Sequence, residues 1–111
     1  LAMSRRERDK GVRGEREVLE LLERAHFAVR GLEATGDHLA FGHGLTLHVE
    51  TKRQEVARPW AWWEQASSEA PAGTMPIVAF RRSRAPWRAI VELEAFVAAL
   101  EQRAIREALA S

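Results

Sequence analysis

The chain has 111 residues, no cysteine and 46% hydrophobic content, enough to bury one core and too short for two domains. The missing cysteines exclude a disulfide framework and any Cys-ligated zinc or iron-sulfur centre. Seventeen Lys and Arg against sixteen Asp and Glu leave a formal charge of +1, so net charge alone proposes no polyanionic partner. No apolar run approaches the roughly 18 residues of a membrane span, and the N-terminus is charged where a signal peptide is apolar, so a soluble cytoplasmic protein without a membrane partner is expected.

Leu1 and Ala2, ahead of Met3, read as residues left from cloning. Positive charge is then concentrated: Arg5, Arg6, Arg8, Lys10, Arg13 and Arg16 are opposed there only by Glu7, Asp9 and Glu15. Residues 1–10 are expected to form a basic arm, and residues 11–111 one domain. From Gly11, apolar residues at Val18, Leu21, Leu22 and Ala25 recur at helical spacing, which predicts an amphipathic helix ending near His26. Phe27–Arg30 is expected as a short strand, with Gly31, Thr35 and Gly36 marking a turn before a second strand over Asp37–Phe41. Gly42-His43-Gly44 reads as a hairpin break.

Leu45, Leu47 and Val49 alternate with Thr46, His48 and Glu50, and the alternation runs on to Lys52, the pattern of a half-buried strand. Pro59 suits the first position of a helix through Trp60, Trp62, Trp63, Gln65 and Ala66, stopped by Pro71 and Gly73. Met75–Phe80 has the length of a buried strand, Arg81–Pro86 reads as a basic turn, Trp87–Leu93 as a strand and Glu94–Leu109 as a closing helix. The expected order is α-β-β-β-α-β-β-α. In the Trp cluster, Trp60 and Trp63 share a helical face and are expected to be buried, leaving Trp62 for a partner. His38 and His48 are expected at exposed strand positions, and with His43 they match no metal-ligand spacing.

The chemistry is concentrated around Glu50 and Lys52. Two residues apart on a strand, they leave one face about 6–7 Å apart, opposite the face that buries Leu47 and Val49. If the preceding strand pairs through a turn centred on His43, Phe41 falls opposite Leu45 and Asp37 opposite Val49, one residue short of Glu50. Two carboxylates on neighbouring strands suit a hard cation such as Mg²⁺, and the lysine beside them can stabilise charge developing at phosphorus. By itself an E-x-K triplet on a strand is an ordinary solubilising pair.

The runs Gly11-Val12-Arg13-Gly14-Glu15-Arg16-Glu17, Gly36-Asp37, Val49-Glu50-Thr51-Lys52 and Glu64-Gln65-Ala66 together resemble the PD-(D/E)xK nuclease superfamily. Within it the chain resembles the small archaeal-type Holliday junction resolvases and their phage relatives. The resemblance implies an α/β, restriction-endonuclease-like core with a mixed central sheet flanked by helices, making residues 11–111 a single nuclease domain. It implies a metal site of Glu15, Asp37, Glu50 and the main-chain carbonyl of Thr51, with Lys52 as catalytic lysine and Gln65 supporting the site. Mg²⁺ is the implied cofactor, with Mn²⁺ as a substitute. Glu17, two residues from Glu15 and about 200° away around the helix, is then the solvent-facing carboxylate. Gly36 stands where the motif name has proline, and Val12 where resolvases often carry serine. Branched or duplex DNA is the implied substrate, with Arg5, Arg6, Arg8, Lys10, Arg13, Arg81, Arg82 and Arg84 as phosphate contacts, and a homodimer would give paired cuts. The alternatives are another nuclease of this fold acting on flaps, nicks or single strands, a non-catalytic DNA-binding module, and a structural or regulatory interaction domain.

Overall fold

In the computed structural model, which describes residues 3–32 and 36–110, the elements follow the expected order. They are α1 (Arg5–Arg24), β1 (Ala28–Gly31), β2 (His38–Gly42), β3 (Leu45–Arg53), α2 (Pro59–Glu69), β4 (Met75–Arg81), β5 (Arg88–Ile90) and α3 (Leu93–Ala110). Leu1, Ala2 and Thr35 lie outside the described residues. Among the described residues no helix is long and apolar enough to cross a membrane.

The five strands form one sheet in sequence order, antiparallel except for the central β3–β4 pair, which is parallel. Parallel neighbours need a crossover connection, and α2 supplies it. The two faces of the sheet are therefore covered by different helices. On one face Val18 of α1 packs on Ala40, Leu47, Val49 and Ala79, with Leu22 beside them. On the other, Trp62 and Ala66 of α2 pack on Val78, with Phe80 and Ile90 partly buried around them. The mixed sheet flanked by helices is the architecture expected from the sequence.

Several local features differ from the expectation. The basic segment is not an arm preceding the helix, because α1 already begins at Arg5. Ser4 is its N-cap and accepts a hydrogen bond from the Glu7 backbone N–H at 3.1 Å. Ser-x-x-Glu is a helix-start signature, which makes residues 5–10 the first turns of α1. At the other end of the chain, β5 stops at Ile90, short of Leu93, because the Glu92 carbonyl already accepts the Phe96 N–H in the first turn of α3.

Within α2 the tryptophans take the opposite roles from those predicted. Trp62 is 4% exposed and Trp60 81%, while Trp63 is half-buried. The helix meets the sheet along Trp62, Ala66 and Glu69, an i, i+4, i+7 row, and Pro59 and Trp60 stand on its outer side. His48 is likewise not at an exposed position but fully buried. The face of β3 expected to be wet is covered by α2, so residues 47 to 50 are all buried.

The β2–β3 turn has two residues, His43 (φ 53°) and Gly44 (φ 74°), with Gly42 paired to Leu45. Positive φ at both central positions is the type I′ geometry that matches the twist of a hairpin. Phe41 therefore faces Thr46, not Leu45, and His38 faces Val49. Continued by one residue, this register sets Asp37 against Glu50 and removes the offset expected from a turn centred on His43.

Candidate active site

Asp37 enters β2 directly after a short loop closure. The Leu32 N–H donates to the Asp37 carbonyl and the Gly36 N–H to the Leu32 carbonyl, both at 2.8 Å. Gly36 has φ of 76°, a value that proline, locked near −65°, cannot adopt. Here the glycine in place of the motif's proline is required by the turn that delivers the aspartate.

Asp37 is 7% exposed, Glu50 4% and His48 0%. All three project from the α2 face of the sheet, since β3 alternates and its odd positions face α1. His48 Nε2 lies 3.4 Å from Asp37 Oδ2. Lys52 Nζ lies 3.1 Å from Glu50 Oε1, which realises the same-face placement read from the i, i+2 spacing. Oε2 of Glu50 is buried without a hydrogen-bond partner. A buried carboxylate oxygen left in that state costs about 1–3 kcal/mol or more.

A third carboxylate completes the cluster, and it comes from α2. Oxygens of Asp37, Glu50 and Glu69 all lie within 4.8 Å of one another. Sequence reading passed over Glu69, although its spacing from Trp62 places it on the sheet-facing row once Trp62 is the buried residue. Glu15 is not in this group. It lines an open groove with Gly11 of α1 and with Thr51, Lys52 and Arg53 at the end of β3. Glu17, expected to face solvent, is half-buried and pairs with Arg81 at 3.2 Å. Gln65 donates to Glu69 Oε1 at 3.3 Å, so its contact with the cluster runs through the residue that sequence reading missed.

The basic groups divide into two sets. Arg5, Arg6, Arg8, Arg13, Arg82 and Arg84 are exposed. Arg81 is engaged inside the structure, with its guanidinium also 5.6 Å from the centre of the Trp87 ring. Lys10 is paired with Glu55 at 2.6 Å. Glu55 is the hub of a polar clamp: both its oxygens accept the Ser83 backbone N–H at 3.0 and 3.1 Å, and Oε1 accepts the Ser83 hydroxyl at 2.6 Å. Arg53 reaches the same oxygen at 3.3 Å. The clamp ties α1, the exit of β3 and the β4–β5 turn together, and fixes the turn that carries Arg82 and Arg84.

The Lys10 ammonium, with the Ser83 hydroxyl and backbone N–H next, holds the Glu55 carboxyl down from 4.5 to about 2. A carboxyl whose pKa is depressed on folding adds stability above its unfolded value, and loses that contribution as pH falls through the folded one. The stability the clamp contributes is thus full above about pH 4.5 and fades between there and about pH 2, where the folded carboxyl itself takes up its proton. Thermal melts of the wild type should lose midpoint across that window more steeply than those of Glu55→Gln, and parallel profiles would show that the clamp contributes nothing.

No protein-family model matches the chain, and no curated protein does. Among solved structures it is similar to Hjc, a Holliday junction resolvase from the archaeal hyperthermophile Archaeoglobus fulgidus, with 28% identity and a TM-score of 0.61 over 74% of this chain and 72% of that one. Buried carboxylates just before β2 and on β3, the lysine two residues on from the second, the mixed five-stranded sheet and this likeness agree with one another: the chain has a Holliday junction resolvase-like nuclease fold.

Proposed function

We propose that this protein is an intracellular, Mg²⁺-dependent, structure-selective DNA endonuclease that cuts four-way junctions as a homodimer. The observation that carries the reading is the buried pair Asp37 and Glu50 with Lys52 at 3.1 Å from Glu50, within a fold like that of a Holliday junction resolvase. The donor set suits a divalent cation, since it consists of hard carboxylate oxygens and one of them, Glu50 Oε2, is buried without a partner. Asp37, Glu50 and the Thr51 carbonyl would hold the ion, with Glu15 on the groove beside Lys52. Mg²⁺ supplies Lewis-acid activation of water and of the phosphodiester, and Mn²⁺ would substitute.

The chain's own groups do the rest. The ammonium of Lys52 offsets the negative charge that builds on the phosphoryl oxygens during in-line attack. The hydrogen bond from Gln65 orients the carboxylate of Glu69. The exposed arginines of the first turns of α1, and Arg82 and Arg84 on the clamped turn, contact phosphates without reading bases. A partner copy is favoured by α3, which leaves Leu93 71%, Phe96 44%, Val97 45%, Leu100 49% and Leu109 82% exposed. So much apolar surface on one helix is unusual for a monomer. Two copies around a two-fold axis would set two sites against two strands of a junction.

Cleavage assays under Mg²⁺ with a four-way junction, a linear duplex and a flap, all of the same sequence, test the reading. The junction should be cut at least about tenfold faster than either, a difference of about 1.4 kcal/mol in barrier. Equal rates on all three would replace the resolvase by a general nuclease of the same fold. Binding without any cleavage in Mg²⁺ or Mn²⁺ would leave a DNA-binding module.

A further inference from the structure

We propose that Glu69, at the C-terminal end of the crossover helix α2, is a carboxylate ligand of the divalent cation together with Asp37 and Glu50, and that Gln65 is its positioning residue. The inference rests on the nuclease reading above and adds a ligand from an element that the motif does not include.

Four observations converge. Oxygens of Asp37, Glu50 and Glu69 lie within 4.8 Å of one another. Glu50 is 4% exposed and its Oε2 has no hydrogen-bond partner, so the best buried of the three carries an unsatisfied acceptor. Lys52 pairs with Glu50 Oε1 and His48 Nε2 lies 3.4 Å from Asp37 Oδ2, whereas the contact of Glu69 is the uncharged Gln65 amide, so the carboxylate that α2 adds to the cluster brings charge without a cation of its own. Finally, Glu69 is the last residue of α2, with no basic residue in that turn. A carboxylate there faces the negative end of the helix dipole, the opposite of the usual preference.

A surface glutamate without a role would swing into solvent to escape both kinds of repulsion. Glu69 is exposed and has room to do so, yet it is turned inward and held by the i, i+4 hydrogen bond from Gln65 at 3.3 Å. A doubly charged cation removes the conflict, because it is attracted by all three carboxylates and by the helix end. An all-oxygen set selects Mg²⁺, Mn²⁺ or Ca²⁺ over softer metals. Glu15, on α1, is outside the group, and so the ion would be held between the β2–β3 hairpin and α2.

Mn²⁺ binding to the metal-free protein without DNA, followed by the loss of the free-ion EPR signal, tests this independently of catalysis. Glu69→Gln should weaken Mn²⁺ affinity by about a hundredfold and Gln65→Ala by about tenfold, the low end of the roughly 10–100-fold that loss of an outer-sphere partner of a metal ligand costs. Glu15→Gln should change it by under about twofold. Melting in EDTA verifies folding, and Glu69→Gln should melt no lower than the wild type while losing most of the Mn²⁺-induced rise in midpoint. Wild-type affinity in Glu69→Gln, with Asp37→Asn or Glu15→Gln impaired, would remove Glu69 from the ligand set and leave the nuclease reading standing. Wild-type affinity in Asp37→Asn as well would overturn the metal site itself.

Discussion

Lys52→Ala should reduce junction cleavage by about a thousandfold or more while leaving junction binding in Ca²⁺ within a few-fold of wild type. The side chain is 19% exposed and its ammonium lies 3.1 Å from a glutamate whose side chain is 5% exposed. In such a site a single pre-placed charge or donor is worth about 10²–10³ in rate. Loss of Lys52 also leaves Glu50 without its ion-pair partner, which adds to the effect. Lys52→Arg should restore only part of the rate, because a planar guanidinium does not present the same compact charge. Asp37→Ala should be as inactive for a different reason, the loss of a buried carboxylate. Single-turnover cleavage and gel-shift assays on the same preparations separate the two steps. A Lys52→Ala protein that cuts at the wild-type rate would remove the lysine from the chemistry.

Why the site was partly legible follows from where its residues lie. Glu50 and Lys52 sit on one strand, and the two-residue period of a strand dictates that they share a face. Asp37 is joined to them by a short hairpin, so its approach was legible while its register was not. A three-residue turn and a two-residue turn fit Gly42-His43-Gly44 equally well until the positive φ at His43 and Gly44 is known. Glu69 was hidden because its position depends on which side of α2 meets the sheet. Helical spacing groups Trp60 with Trp63, but spacing cannot say which face is covered. The burial of His48 was missed for the same reason: alternation along β3 implied one wet face, whereas the parallel β3–β4 pair brings a helix over it. Start and stop signals were mixed. Pro59 marks α2, while the Ser4-x-x-Glu7 cap of α1 is obscured by the run of arginines around it, which reads as a solvated arm.

The largest stability loss is expected at Trp62. Its side chain is 4% exposed, packs with Ala66 and Val78, and lies with its ring 5.6 Å from that of Phe80. Truncating a buried Trp to Ala typically costs about 3–5 kcal/mol. That is a large part of the roughly 5–15 kcal/mol that holds an ordinary domain together. Trp60→Ala, at a position 81% exposed, should stay within about 0.5 kcal/mol of the wild type. Urea titrations of the two variants should therefore give midpoints far apart, with Trp62→Ala much the lower. Equal midpoints would mean that α2 is not anchored by this residue. The result bears on function as well, because the row that carries Trp62 also carries Glu69, and a loosened α2 would release the third carboxylate from the hairpin.

The two-residue turn at His43 and Gly44 has a consequence for how this chain can vary. Exposed loop tips are ordinarily where insertions and deletions are tolerated, and this turn is exposed. Yet a strand that slips by one residue exchanges its two faces. One residue added there would carry Asp37 from the α2 side of the sheet to the α1 side while the backbone ladder survived. The length of a solvent-exposed turn is thus tied to chemistry six residues away along each arm of the hairpin, at Asp37 and Glu50, and drift in that length would yield folded, inactive descendants.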